Sequence, residues 1–183
     1  MSSDAEVKRL TAKWLEGFVI RLGLCPFAAL PFINNQVRIV VSPHSSEDLI
    51  QQHILEEVRR LLASTANELE TTLIVCPQYE VDFLTYLDFA YFLEDVLYQE
   101  GYEGIIQIAT FHPKYIFADS TSDDPADYTN RSPFPMFHLL REDSVSKAVE
   151  NHPDIESVPE RNKILLRDMG LDAVHHLLEA LKK

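Results

Sequence analysis

Cysteine is scarce in this chain. Cys25 and Cys76 are the only two, far apart and outside any CxxC pattern, so neither a disulfide framework nor a zinc ribbon is indicated and both thiols are expected to be free. Positive charge is scarce too: 16 lysines and arginines stand against 29 acids, giving a net charge of −13. Such a surface repels phosphate backbones and anionic lipid, so neither nucleic acid nor a membrane is expected as a partner. No apolar run approaches the roughly eighteen residues that a spanning helix needs. The N-terminus lacks the charged, apolar and small-residue succession of a signal peptide, and a cytoplasmic protein is expected. Also missing are GxGxxG, GxxxxGK followed by Ser or Thr, GxSxG and HExxH, which removes the usual support for nucleotide, lipase and zincin readings. There is no internal repeat and no low-complexity segment.

What is present suits one globular domain over residues 1–183: 46% of the residues are hydrophobic and 10% aromatic, enough for one substantial core. Ser3 and Glu6 have capping-box spacing, and Val7, Leu10, Trp14, Phe18 and Leu22 follow at helical intervals, predicting a helix over 4–22 that Gly23 stops. A strand over 36–42 (QVRIVVS), a helix over 46–64 and a strand over 71–77 (TTLIVCP) come next, with Cys76 in the core. Residues 81–99 are helical and apolar on most faces, which predicts burial on more than one side or a subunit contact. The run IIQIATF, 105–111, reads as a strand in the middle of a covered sheet. A short helix starts at Ser144 and ends at Pro153, and two more follow, the first opened by a Ser157 and Glu160 capping box. Strands separated by helices predict an α/β fold, a short and mainly parallel sheet of at least three strands with helices packed on it. The alternative is an α+β ferredoxin-like sandwich.

The functional residues are expected in residues 111–142, FHPKYIFADSTSDDPADYTNRSPFPMFHLLRE. It reads as a long loop leading into a short helix, too aromatic for disorder and of a length that is usually functional. His112 lies at a strand's carboxyl end, where α/β sheets gather ligands. It can serve as acid, base or ligand, or be a hydrogen-bonded structural residue. Ser132, with Pro133 after it, predicts a helix start that would set His138, Arg141 and Glu142 on one helical face. Asn130 and Arg131 beside that helix N-terminus would suit a carboxylate or phosphate. Cys25, followed by Pro26, has two readings: an N-cap whose thiol the helix dipole acidifies, or a small buried hydrophobe. Cys25, His112 and His138 would make a metal set, or equally a nucleophile and its base. Asp119, Asp123, Asp124 and Asp127 lack the EF-hand spacing, so no metal site is assigned, and no cofactor follows from these patterns.

LGLCPFA at 22–28, QIATFHPKYIFAD and DDPADYTNRSPFPMFHLLRED, together with the chain length, resemble the bacterial family called domain of unknown function 1415. The resemblance covers nearly the whole chain and implies a small cytoplasmic bacterial protein with no known activity. Three functional readings therefore stand. The first is a small-molecule enzyme acting on an anionic substrate, with Cys25, His112 and His138 catalytic and Asn130, Arg131, Ser132, Arg141 and Glu142 binding. The second is a non-catalytic module that holds a metabolite or metal in the same cleft. The third is a homo-oligomer assembled through helix 81–99.

Overall fold

The computed structural model describes residues 3–121, 123–151 and 154–183. Ser3 caps α1 (Asp4–Trp14) by accepting the Glu6 amide, and the apolar stripe continues through a π-helical stretch, Leu15–Ile20. Gly23 ends it with φ +64°, a left-handed conformation that costs glycine least. Gly17, inside the stretch, leaves the space that the Leu181 side chain fills. There follow α2 (Ala29–Ile33), β1 (Val37–Val41), α3 (Glu47–Ala63), β2 (Thr71–Val75), α4 (Phe83–Gln99) and β3 (Ile106–Phe111). Asp82 caps α4, its carboxylate accepting the Leu84 and Thr85 amides. After a long connection holding a 3-10 turn, Pro125–Thr129, come β4 (Met136–Arg141), α5 (Glu142–Glu150), α6 (Val158–Met169) and α7 (Leu171–Leu181).

The four strands lie in the order β1-β2-β4-β3. β1 and β2 are parallel, whereas β4 runs antiparallel to both of its neighbours. The fold is mixed α/β, and the expectation of a mainly parallel sheet is corrected. The reason lies in Met136–Leu140, a near-continuous apolar run that suits a helix as well as a strand. A strand covered on both faces loses its alternation, and over six residues it cannot be told from a buried helical segment. Pro133 and Pro135 favour extended backbone in the residues before them, and the Pro135 carbonyl accepts the Cys76 amide at 2.8 Å. β4 takes the inner place, so β3, expected in the middle, is an edge strand.

Helices cover both faces, unlike a two-layer ferredoxin-like sandwich. On one side Ile50, Ile54, Val58 and Leu61 of α3 and Tyr86, Phe89 and Leu93 of α4 pack on Ile74, Ile108, Phe137 and Leu139. On the other, Val7, Trp14 and Phe18, with Leu166 of α6 and Val174 of α7, pack on Val41, Leu73, Val75 and Met136. Each such side chain, removed from water, contributes about 1.5–3 kcal/mol before conformational entropy is counted. The Tyr86 hydroxyl closes the sheet from within, accepting the Phe111 amide and donating to the Met136 carbonyl.

Smaller differences concern helix ends. α5 begins at Glu142, not Ser144, and the stop expected at Pro153 lies outside the described residues. Ser157 stands before α6, but its hydroxyl donates to the Asp154 carbonyl at 2.7 Å, so the expected capping box does not close. Among the described residues no helix is long and apolar enough to cross a membrane.

Candidate functional site

The side chains singled out in the sequence do not converge on one cleft. His138 sits on β4, paired with Leu73 and Ala109, and faces the α1 layer, where its ring lies 6.2 Å from that of Phe111. The Thr71 hydroxyl donates to the Leu139 carbonyl at 2.6 Å and meets His138 Nε2 at 2.5 Å. Its one proton is spent, so His138 Nε2–H is the donor. Burial holds the His138 pKa down at about 4. His112, buried beyond the end of β3, stands in the α4 layer with its ring 4.9 Å from that of Tyr86. Its Nδ1 accepts the Lys114 amide at 3.1 Å. Burial is the largest influence on its pKa, which is lowered.

Arg141 points to the face opposite His138, because residues three apart on a strand alternate sides. The helical face expected to unite His138, Arg141 and Glu142 does not exist. The Arg141 guanidinium caps α3 instead, reaching the carbonyls of Leu61, Ser64 and Leu69 at 2.5, 2.7 and 3.1 Å. Glu142 opens α5, and its amide bonds the Ile105 carbonyl at 3.0 Å. Ser132 caps no helix either: its hydroxyl donates to the Phe134 carbonyl at 2.6 Å across a bend at Pro133 and Phe134. The helix N-terminus that was to support an anion beside Asn130 and Arg131 is therefore missing.

Asn130 and Arg131 lace the long connection together. The Arg131 guanidinium bonds the Tyr115 carbonyl at 2.9 Å and Asp127 at 3.2 Å, and lies 4.6 Å from the Tyr128 ring centre. Asp127 is buried and also accepts the Phe117 amide and the Ser120 hydroxyl. Asp124 pairs with Arg167 and Asp119 with Lys163, both on α6. Among the described residues no group of three or more His, Cys, Asp and Glu side chains is placed to hold a metal ion.

Cys25 is not a helix N-cap. Its carbonyl accepts the Ala28 amide at 3.3 Å in a tight turn, and the next helix starts only at Ala29. The Phe27 and Ala28 backbone favours the thiolate, but burial outweighs it and pushes the thiol pKa up. A five-residue helix that starts beyond this turn supplies little dipole at the sulfur. Cys76 is fully buried, as expected, and burial raises its pKa to about 12.

The surface feature best suited to recognition lies elsewhere. A groove of about 340 Å³ runs between α4 and the outer edge of β3, walled by Leu87, Ala90, Tyr91 and Glu94 on one side and Ile108–Phe111 on the other, with Tyr115 and Asn130 at one end. Burial raises the pKa of the Tyr115 hydroxyl. Tyr91 and Leu84 on α4 are 57% and 69% exposed.

The β3 edge in this groove is open. Phe111 directs its amide inward to the Tyr86 hydroxyl, and Ile105 its carbonyl inward to Glu142. By alternation the even-numbered residues of the strand direct theirs outward. Ile106 is covered, its amide bonding the Tyr102 carbonyl, and His112 is covered by the Asn130 carbonyl at 3.3 Å. Between them the amides and carbonyls of Ile108 and Thr110 have no backbone or side-chain partner among the described residues. Of the residues expected in a site, Asn130 alone lines this groove. Sequence reading missed the rest because β3 looked central. The exposed tyrosines of α4 were the available signal.

A family model described as Protein of unknown function (DUF1415), the family that the sequence resembles, matches residues 6–176. No curated protein and no solved structure matches the chain.

Proposed function

We propose, from the premise that the chain belongs to the family described as Protein of unknown function (DUF1415), that it is a non-catalytic binding module and that the groove between α4 and β3 is its recognition surface. One observation carries this reading. The unpartnered backbone of Ile108 and Thr110 opens into the same groove as the exposed Tyr91 ring. Unpaired polar groups beside apolar surface are what a ligand's hydrogen bonds and apolar body complement. The catalytic alternative is less well supported, because His112 is buried with its Nδ1 taken by the Lys114 amide and His138 is held neutral in the other layer. The two arginines expected to hold an anion are engaged by backbone carbonyls and Asp127.

Shift mapping of backbone amides with tyramine and N-acetyltyrosine amide tests the reading. The expected perturbations cluster at Leu87, Tyr91, Ile108, Thr110 and Asn130, and Tyr91→Ala weakens them. Perturbations gathered around Cys25 and absent from the groove would overturn it.

A further inference from the structure

Between Arg60 and Lys114 the chain contains no lysine or arginine, while it carries nine acids: Glu68, Glu70, Glu80, Asp82, Asp88, Glu94, Asp95, Glu100 and Glu103. This stretch builds β2, α4 and β3, so the helix that walls the groove carries acids and no base of its own; Arg59 reaches Glu100 at its end, 4.0 Å away. On α4, Asp88, Glu94 and Asp95 are solvent-exposed alongside Leu84, Tyr91 and Tyr98.

We infer that the occupant of the groove is an extended, cationic segment of a partner protein, which adds to β3 as a fifth strand. The inference rests on the groove being the recognition surface and names what it recognises. Three observations select this occupant. The free amides and carbonyls of Ile108 and Thr110 are spaced as a strand edge, and a backbone in β conformation satisfies both kinds at once. A strand laid there brings alternate side chains against Leu87, Ala90 and Tyr91, which favours β-branched or aromatic residues on that face. Glu94, which lines the groove, and Asp88 and Asp95, exposed elsewhere on α4, favour lysine or arginine in a strand laid there. A second copy of this chain fits less well. Two β3 edges paired across a two-fold axis set α4 beside α4, which opposes like charges.

The test uses the intact protein and two capped heptapeptides, one alternating valine with lysine and one alternating valine with glutamate. The lysine peptide is expected to bind and to slow hydrogen exchange at Ile108 and Thr110, while the glutamate peptide does not bind. Reversing charge with Glu94→Lys and Asp95→Lys weakens the lysine peptide by about tenfold or more. Thr110→Pro removes an outward donor without breaking the ladder to β4, a position where an edge strand tolerates proline, and it abolishes binding. If that variant fails to fold, the lysine peptide with alternate amides methylated makes the same test on the unaltered protein, and it should not bind. Equal binding of the two peptides, or groove contact without protection of the two amides, overturns strand addition. So does a wild-type dimer that Thr110→Pro converts to monomer, because a second copy then takes the edge. If neither peptide enters the groove but tyramine does, this inference fails and the recognition surface stands. If nothing enters, both fail.

Discussion

His138 is a residue whose neighbours determine its charge. Thr71 takes its proton-bearing nitrogen, and burial holds its pKa near 4 against an ordinary 6.5. The folded value is the lower one, so the unfolded chain binds more protons between the two. The stability that His138 contributes is complete above about pH 6.5 and is lost as pH falls toward 4. At about 1.4 kcal/mol per pKa unit, the loss is about 3 kcal/mol. Urea unfolding at a series of pH values should show it, and His138→Gln should flatten the profile across that window. A variant whose profile runs parallel to the wild type would assign the slope to other groups. His53 and His112, both lowered by burial, act in the same direction, and only the comparison isolates His138. Nothing local in the sequence marks this: MFHLLR names a histidine among apolar residues, while the Thr71 hydroxyl comes from a strand 67 positions away.

At the scale of elements, Arg141 joins β4 to the end of α3. A cation at a helix C-terminus satisfies carbonyls that the helix leaves unpaired and interacts favourably with its dipole. Arg141→Ala should cost about 3 kcal/mol, since several acceptors lose a charged donor together. Arg141→Lys should recover only part, for want of the planar fork that reaches three carbonyls. Denaturant midpoints at constant m-value measure both, and a loss under about 0.5 kcal/mol would show the contacts to be dispensable. The same element shows where sequence reading failed. Ser132 and Pro133 look like a helix start, and Met136–Leu140 is apolar enough for either structure. The choice was made by β2 and β3, which offer backbone partners to both sides of this segment.

At the scale of the molecule, charge dominates. With −13 spread over a 21.0 kDa chain and α4 acidic along its exposed side, association through α4 is opposed at low salt and less so as salt screens the repulsion. Light scattering after size exclusion should return a monomer in dilute buffer. A stable dimer there would revive assembly through α4, the reading drawn from its apolar faces. Those faces turn out to be divided: Tyr86, Phe89, Leu93 and Leu97 are buried in the core, and Leu84, Tyr91 and Tyr98 stay in water.

The sequence by itself determined the elements whose signals are local. The Ser3 cap, the stop at Gly23, α3, α4, β1, β2 and β3 all follow from spacing, propensity and turn residues a few positions apart. It also determined the net charge of −13. Only the tertiary structure decided which strand is central, which arginine is occupied, and whether Cys25, His112 and His138 meet. A side chain's partner and a strand's neighbour are set by packing between segments far apart in the chain. Thus β3 carries the same apolar run in the middle of a sheet or at its edge. Its position at the edge follows from β4 pairing between β2 and β3, and that pairing leaves Ile108 and Thr110 open.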